Sequence, residues 1–101
     1  IVIPTAVAER TNAPERMTLA QNYPNPFNPS TTIQLSIDER QLTIVNVYDM
    51  LGREVAVLLN EVKDPGTYAL TWDARGMASG MYICRMIAGN VTLSRTMTLL
   101  R

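Results

Sequence analysis

Between Thr31 and Leu100, short runs of aliphatic and β-branched residues alternate with polar or glycine-bearing turns, and no stretch carries the 3.6-residue period of a helix. Ile33, Leu35 and Ile37 alternate with Thr32, Gln34 and Ser36, the signature of a half-buried strand. Asp38–Gln41 is a polar turn. Leu42–Asp49 is apolar on both parities, which requires burial on both faces or a bulge. A turn over Met50–Arg53 leads to a strand with Val55, Val57 and Leu59 on one face, then to a loop over Glu61–Gly66 that closes on Pro-Gly. In Thr67–Asp73 the side chains of Tyr68, Leu70 and Trp72 share a face, the expected aromatic heart of the core. Gly80–Ala88 is apolar on both faces, as a central strand is, and Gly89-Asn90 is a two-residue hairpin signal. In the last run Val91, Leu93, Met97 and Leu99 share a parity with Arg95 and Arg101. Either a bulge re-aims Arg95 or the strand projects charge where an apolar residue is expected.

With a short first strand in Met17–Gln21, about seven strands are spaced by turns every 8–12 residues. This pattern predicts an all-β fold, an immunoglobulin-like antiparallel β-sandwich. The single cysteine, Cys84, excludes an internal disulfide; in an apolar strand it reads as a small core residue. Residues 1–16 mix small, charged and proline residues without periodicity and read as a linker to a preceding domain, leaving residues 17–101 as the folded unit.

The segment before the second strand, Gln21–Pro29, is of a different kind. Pro24, Pro26 and Pro29 remove three donors and fix three φ angles, and Tyr23, Asn25 and Asn28 each precede a proline, which biases them toward extended backbone. A helix or a central strand is excluded here. The expectation is a stiff connector presenting or packing Tyr23 and Phe27, with Phe27 the better candidate for plugging the open end of the core.

Composition removes several functions. Nine basic residues balance nine acidic ones, so there is no nucleic-acid footprint. The balance is uneven along the chain: Arg75, Arg85, Arg95 and Arg101 follow the last acid, Asp73, giving +4 over residues 74–101 and −4 over residues 1–73. That is either chance or a basic surface that steers a partner. The absence of histidine excludes a Ser-His-Asp triad, histidine acid–base chemistry and a histidine metal site, and no nucleophile–base pair is present; no enzyme, cofactor or metal is expected. Asp38, Asp49, Asp64 and Asp73 lie in or beside turns without a calcium-loop pattern, so turn chemistry is their default role. Asn90-Val91-Thr92 is formally a glycosylation sequon. No apolar run approaches a membrane span.

The runs LAQNYPNPFNPSTTIQLSI, VNVYDMLGREVAVLL, PGTYALTWDARGMASGMYICRM and SRTMTLLR together resemble the C-terminal sorting domain (type A) of the type IX, or Por, secretion system. The likeness spans about Met17 to Arg101. It implies an Ig-like sandwich that is not catalytic and that directs a larger cargo protein through the outer membrane of a Gram-negative bacterium, from the periplasm to the medium or the cell surface. The implied partners are the type IX translocon, a sortase-like protease that removes the domain before about Met17, and N-terminal cargo domains in the same chain. By position, the recognition candidates are Tyr23, Pro24, Asn25, Pro26, Phe27, Asn28, Pro29, Gly52, Gly80, Tyr82, Arg95 and Arg101. The chain departs from the family in its Ile37–Gln41 turn, in Cys84, in a terminal Arg rather than Lys, and in a strand near 42–47 that stands one residue out of register. The pattern is also similar to the Ig-like domain of the flagellar hook-capping protein, which leaves a structural Ig-like module as one alternative. A carbohydrate-binding module using Tyr23, Tyr48 and Tyr82 is another.

Overall fold

The computed structural model describes residues 17–101, so the expected linker over residues 1–16 lies outside the described residues. These residues form seven strands and no helix: β1 (Thr18–Leu19), β2 (Ser30–Ile37), β3 (Gln41–Asp49), β4 (Glu54–Lys63), β5 (Gly66–Asp73), β6 (Gly80–Ala88) and β7 (Val91–Leu99). They build a three-stranded sheet in the order β1-β2-β5 and a four-stranded sheet in the order β4-β3-β6-β7, with antiparallel pairing throughout. The sheets face each other as a sandwich, β1 beside β7 at one edge and β4 beside β5 at the other.

Period-2 patterning decides which side chains enter. In β2, Thr31, Ile33, Leu35 and Ile37 are buried while Gln34 is exposed. β3 and β6 are the two central strands of the larger sheet, and their inner faces contribute Val45, Val47, Tyr82, Cys84 and Met86. Burying each aliphatic side chain of this kind contributes roughly 1.5–3 kcal/mol. Burial pushes the Cys84 thiol up to about 11, consistent with an inert core residue.

The double parity of Leu42–Asp49 resolves without a bulge in β3 itself, which pairs with β6 in unbroken register. Its outward residues Ile44, Asn46 and Tyr48 are half-buried because a strand lies on either side. The irregularity lies in β4, where the register against β3 slips between Val45 and Asn46 and again between Val47 and Tyr48, leaving Leu58 and Val55 as extra residues. Each slip reverses side-chain direction, so Leu59 and Ala56 oppose the inward Val45 and Val47 while Val57 is exposed. Val55, Val57 and Leu59 therefore do not share a face. The loop expected over Glu61–Gly66 is also shorter: Glu61, Val62 and Lys63 still pair with Thr43, Leu42 and Gln41, and Asp64-Pro65 alone join β4 to β5. Tyr68, Leu70 and Trp72 do share the inner face, yet Trp72 alone of the three is fully buried because β5 is an edge strand. The β6–β7 hairpin turns on Gly89-Asn90, as expected.

Candidate functional site

The Gln21–Pro29 connector carries its own polar scaffold. Asn22 is buried, and its Nδ2 donates to the Pro24 carbonyl (3.0 Å) and to Thr31 Oγ1 (3.0 Å), while Thr31 Oγ1 donates to the same carbonyl (2.8 Å). Gln21 Nε2 donates to Asn22 Oδ1 at 2.7 Å. These bonds supply partners for buried polar groups that would otherwise cost about 1–3 kcal/mol each. Tyr23 exchanges two backbone bonds with Thr32 (2.9 and 3.0 Å), so its backbone is fixed although its side chain is 80% exposed. The bonds preceding Pro24, Pro26 and Pro29 are cis, and the chain bends at 24–26 and 28–29. Phe27 turns inward, 2% exposed, with its ring 5.6 Å from Trp72, which in turn meets Tyr82 edge-on at 5.3 Å. The aromatic heart of the core is thus Phe27–Trp72–Tyr82, at one end of the sandwich.

The connector is also stitched to the last strand. Phe27 N donates to the Thr98 carbonyl, Leu100 N donates to the Phe27 carbonyl (both 3.0 Å), and Thr98 N donates to Asn25 Oδ1 at 3.1 Å. Gln21 Nε2 donates to the Thr96 carbonyl at 2.7 Å. The outer edge of β7 from Thr96 onward is therefore occupied by the connector, which protects an otherwise open strand edge. Pro29 ties the connector to the β5–β6 loop by accepting from Ala74 N at 2.9 Å. Beyond β7, Arg101 N donates to Ser79 Oγ (3.0 Å) and its Nη1 donates to the Met77 carbonyl (2.5 Å).

The β3–β4 turn lies at the same end. Asp49 Oδ1 accepts from the amides of Leu51 and Arg53 (2.9 Å each) and Oδ2 pairs with Arg53 Nε at 2.8 Å. Hydrogen bonding to the Arg53 amide first, then to its side chain and to Leu51 N, holds the Asp49 carboxyl below its usual value against a partial desolvation cost. Gly52 closes the turn at φ +86°, a conformation that favours glycine. Asp73 repeats the device in the β5–β6 loop: the Arg75 side chain, then its amide, lowers the carboxyl. Gly80 opens β6 at φ +146°, and Tyr82 Oη donates to the Ala78 carbonyl at 2.6 Å.

Of the residues expected from the sequence, the structure gathers Tyr23–Pro29, Gly52, Gly80, Tyr82 and Arg101 at this end. Tyr23, Pro24, Asn25, Pro26 and Asn28 are exposed, Pro29 is half-buried, and Phe27 and Tyr82 are interior. Arg95 stands apart. No bulge re-aims it; it pairs in register with Cys84 and its Nε donates to the Leu19 carbonyl at 2.8 Å, bridging the β7 and β1 edges. The inward charge is thus an edge closure. The four late arginines do not form one basic face: Arg75 pairs with Asp73, Arg85 lies over the Tyr48 ring at 4.5 Å, Arg95 reaches Leu19 and Arg101 reaches Met77. Nor do Tyr23, Tyr48 and Tyr82 make a sugar platform, since Tyr82 is buried and Arg85 covers Tyr48. Asp49 performs the turn chemistry expected of it, whereas Asn22 and Thr31 were not singled out as builders of this end. Asn and Asp beside turns were a visible cue, but the bonding of Asn22 and Thr31 to the Pro24 carbonyl depends on how the connector bends back onto the start of β2.

The class so defined is a β-sandwich module whose last strand is clamped by a proline-rich connector, with the β3–β4 and β5–β6 turns gathered around the clamp. Residues 21–99 match the family model described as the secretion system C-terminal sorting domain, and the chain belongs to that family, the sorting domains of the type IX secretion system. No curated protein and no solved structure matches the chain.

Proposed function

We propose that the domain carries an attached cargo across the outer membrane by presenting its clamped end, as a folded unit, to the type IX translocon. Family membership gives the sorting role. The observation that carries the finer reading is the joining of connector and terminal strand: Asn25 and Phe27 hold Thr98 and Leu100. In this reading Phe27, Asn25, Gly52, Gly80 and Tyr82 act by building the end, Arg101 by seating the tail on Met77 and Ser79, and Arg95 by closing the β1–β7 edge. Tyr23, Pro24 and Pro26 present a surface whose backbone is already ordered, which lowers the cost of recognition.

The N-terminal entry at Met17 lies toward the opposite end of the sandwich, since Thr18 pairs with Ser36 near the end of β2. The chain then enters the domain at the pole opposite the clamped end, and a sortase-like protease would cut before Met17 without touching that end. Release into the medium or anchoring at the cell surface follows from that cut. The test is a periplasmic reporter carrying residues 1–101 at its C-terminus, expressed in a type IX host and in the same host lacking the translocon. Translocon-dependent export with loss of the domain, seen as a new reporter C-terminus by mass spectrometry, is expected. Retention in both hosts contradicts sorting, and export with the domain intact contradicts processing.

A further inference from the structure

The outer face of the four-stranded sheet ends, at the clamped pole, in large apolar side chains. Met50 is 60% exposed, Leu51 78%, Met81 48% and Leu100 61%. They come from three segments that the fold brings together. Asp49 pairs with Tyr82, which sets the following Met50 beside Met81. Met50, Leu51 and Met81 share a hollow of about 240 Å³ with Ser79 and Gly80. Leu100 follows Leu99, the partner of Gly80, and Arg101 is fixed to Ser79. A neighbouring hollow of about 400 Å³ is lined by Tyr48, Met50, Gly52, Ile83 and Arg85. Scattered exposed apolar residues are ordinary, but Met50, Leu51 and Met81 line one hollow and Leu100 follows the β7 partner of Gly80, and apolar side chains grouped in this way mark contact sites.

Two further observations define what would cover the patch. First, its backbone is rigid. Asp49 pins the Met50–Arg53 turn through three bonds, and Leu100 N is held by Phe27. Apolar side chains held outward on fixed backbone lose little entropy on docking. Second, its border on β6 carries a cation, Arg85, while the Glu54 carboxylate lies on the far side of Tyr48, on β4. The Asp49 carboxylate is taken up by its own turn, while the Arg85 guanidinium lines the second hollow over Tyr48, with its Nε buried and unpartnered. Arg101 is tied to Ser79 through its amide, and its guanidinium turns to the Met77 carbonyl.

We propose that Met50, Leu51, Met81 and Leu100 form the contact surface for an apolar groove rimmed by carboxylates on a component of the type IX machinery. This rests on the sorting reading and names the side chains that would be touched, as distinct from those that build the end. Charge complementarity at Arg85 sets orientation, and the apolar centre supplies the affinity.

The experiment compares three reporter fusions in a type IX host: the parent, Met50→Ser/Leu51→Ser/Met81→Ser, and the control Leu42→Ser/Val62→Ser. The control removes an exposed cross-strand pair at the far end of the same sheet face. Because all five side chains are exposed, thermal unfolding of the purified domains should stay within a few degrees of the parent. The expected result is at least a tenfold loss of export for the triple variant and parental export for the control. Parental export by the triple variant overturns the proposal while leaving the sorting role intact, as does an equal loss in the control. If the parent itself is retained, the sorting reading fails and the proposal fails with it. Concentration-dependent dimerisation of the parent domain, abolished in the triple variant, would assign the patch to a second copy of this chain and overturn the machinery as its occupant.

Discussion

Phe27 is the residue on which the clamped end depends most. Its ring fills the space against Trp72 while its own N–H and C=O join the terminal strand. A single side chain therefore serves the core and fixes the backbone that holds Thr98 and Leu100. Phe27→Ala would leave a cavity and lose the aromatic contact, at a cost of about 3–5 kcal/mol, a large share of the stability of a domain this size. Urea unfolding of the isolated chain should show that loss as a lower midpoint at unchanged slope. A change below about 1 kcal/mol would mean that the ring is not packed as described. The prolines around it permitted the plugging role to be read in advance, because they exclude regular pairing and leave a large ring without a strand to sit on. Tyr82 could not be placed the same way. Its parity matches Cys84 and Met86, but its Oη reaches the Ala78 carbonyl, a bond that exists once the β5–β6 loop has folded over it.

At the scale of the element, the β3–β4 turn shows how a local motif is held. Asp49 accepts three hydrogen bonds in its charged form, so the folded turn favours the carboxylate and holds its carboxyl below the usual value. The stabilisation is complete above the unfolded carboxyl value, about 3.9, and is lost as pH falls through the lower folded value. An NMR titration should place the Asp49 midpoint below that of a peptide spanning the turn, with the Leu51 and Arg53 amide shifts following it. A midpoint equal to the peptide's would show that the network is not formed. Strand existence was legible wherever the alternation was clean, as in Ile33-Gln34-Leu35-Ser36-Ile37. It was not legible in β4. Val55, Val57 and Leu59 keep perfect spacing, and two bulges set by pairing with β3 undo it. Arg95 gave the opposite case: its parity looked wrong, and the reason was the position of β7 at an edge, where an inward arginine can reach the Leu19 carbonyl. Periodicity reports direction along one strand; edges and bulges belong to the sheet.

For the whole molecule, the Pro/Asn connector, the Asp49–Arg53 turn, the Gly80–Tyr82 entry and the terminal residues are scattered over most of the chain yet meet at one pole. Each was visible as a motif; their meeting was not, because it depends on strand order and on which loops share an end. The apolar patch of Met50, Leu51, Met81 and Leu100 was invisible for the same reason. In the proposed reading the sorting signal is this composite end and not the last strand alone. The most direct test is export of the reporter fusion in three forms: the parent, a deletion of Ser94–Arg101, and Phe27→Ala with the full tail retained and the reporter intact in the periplasm. A composite signal predicts that export is lost in both altered forms. Export of Phe27→Ala at the parental level, with the deletion blocked, would contradict the account and place the signal in the tail as a linear sequence.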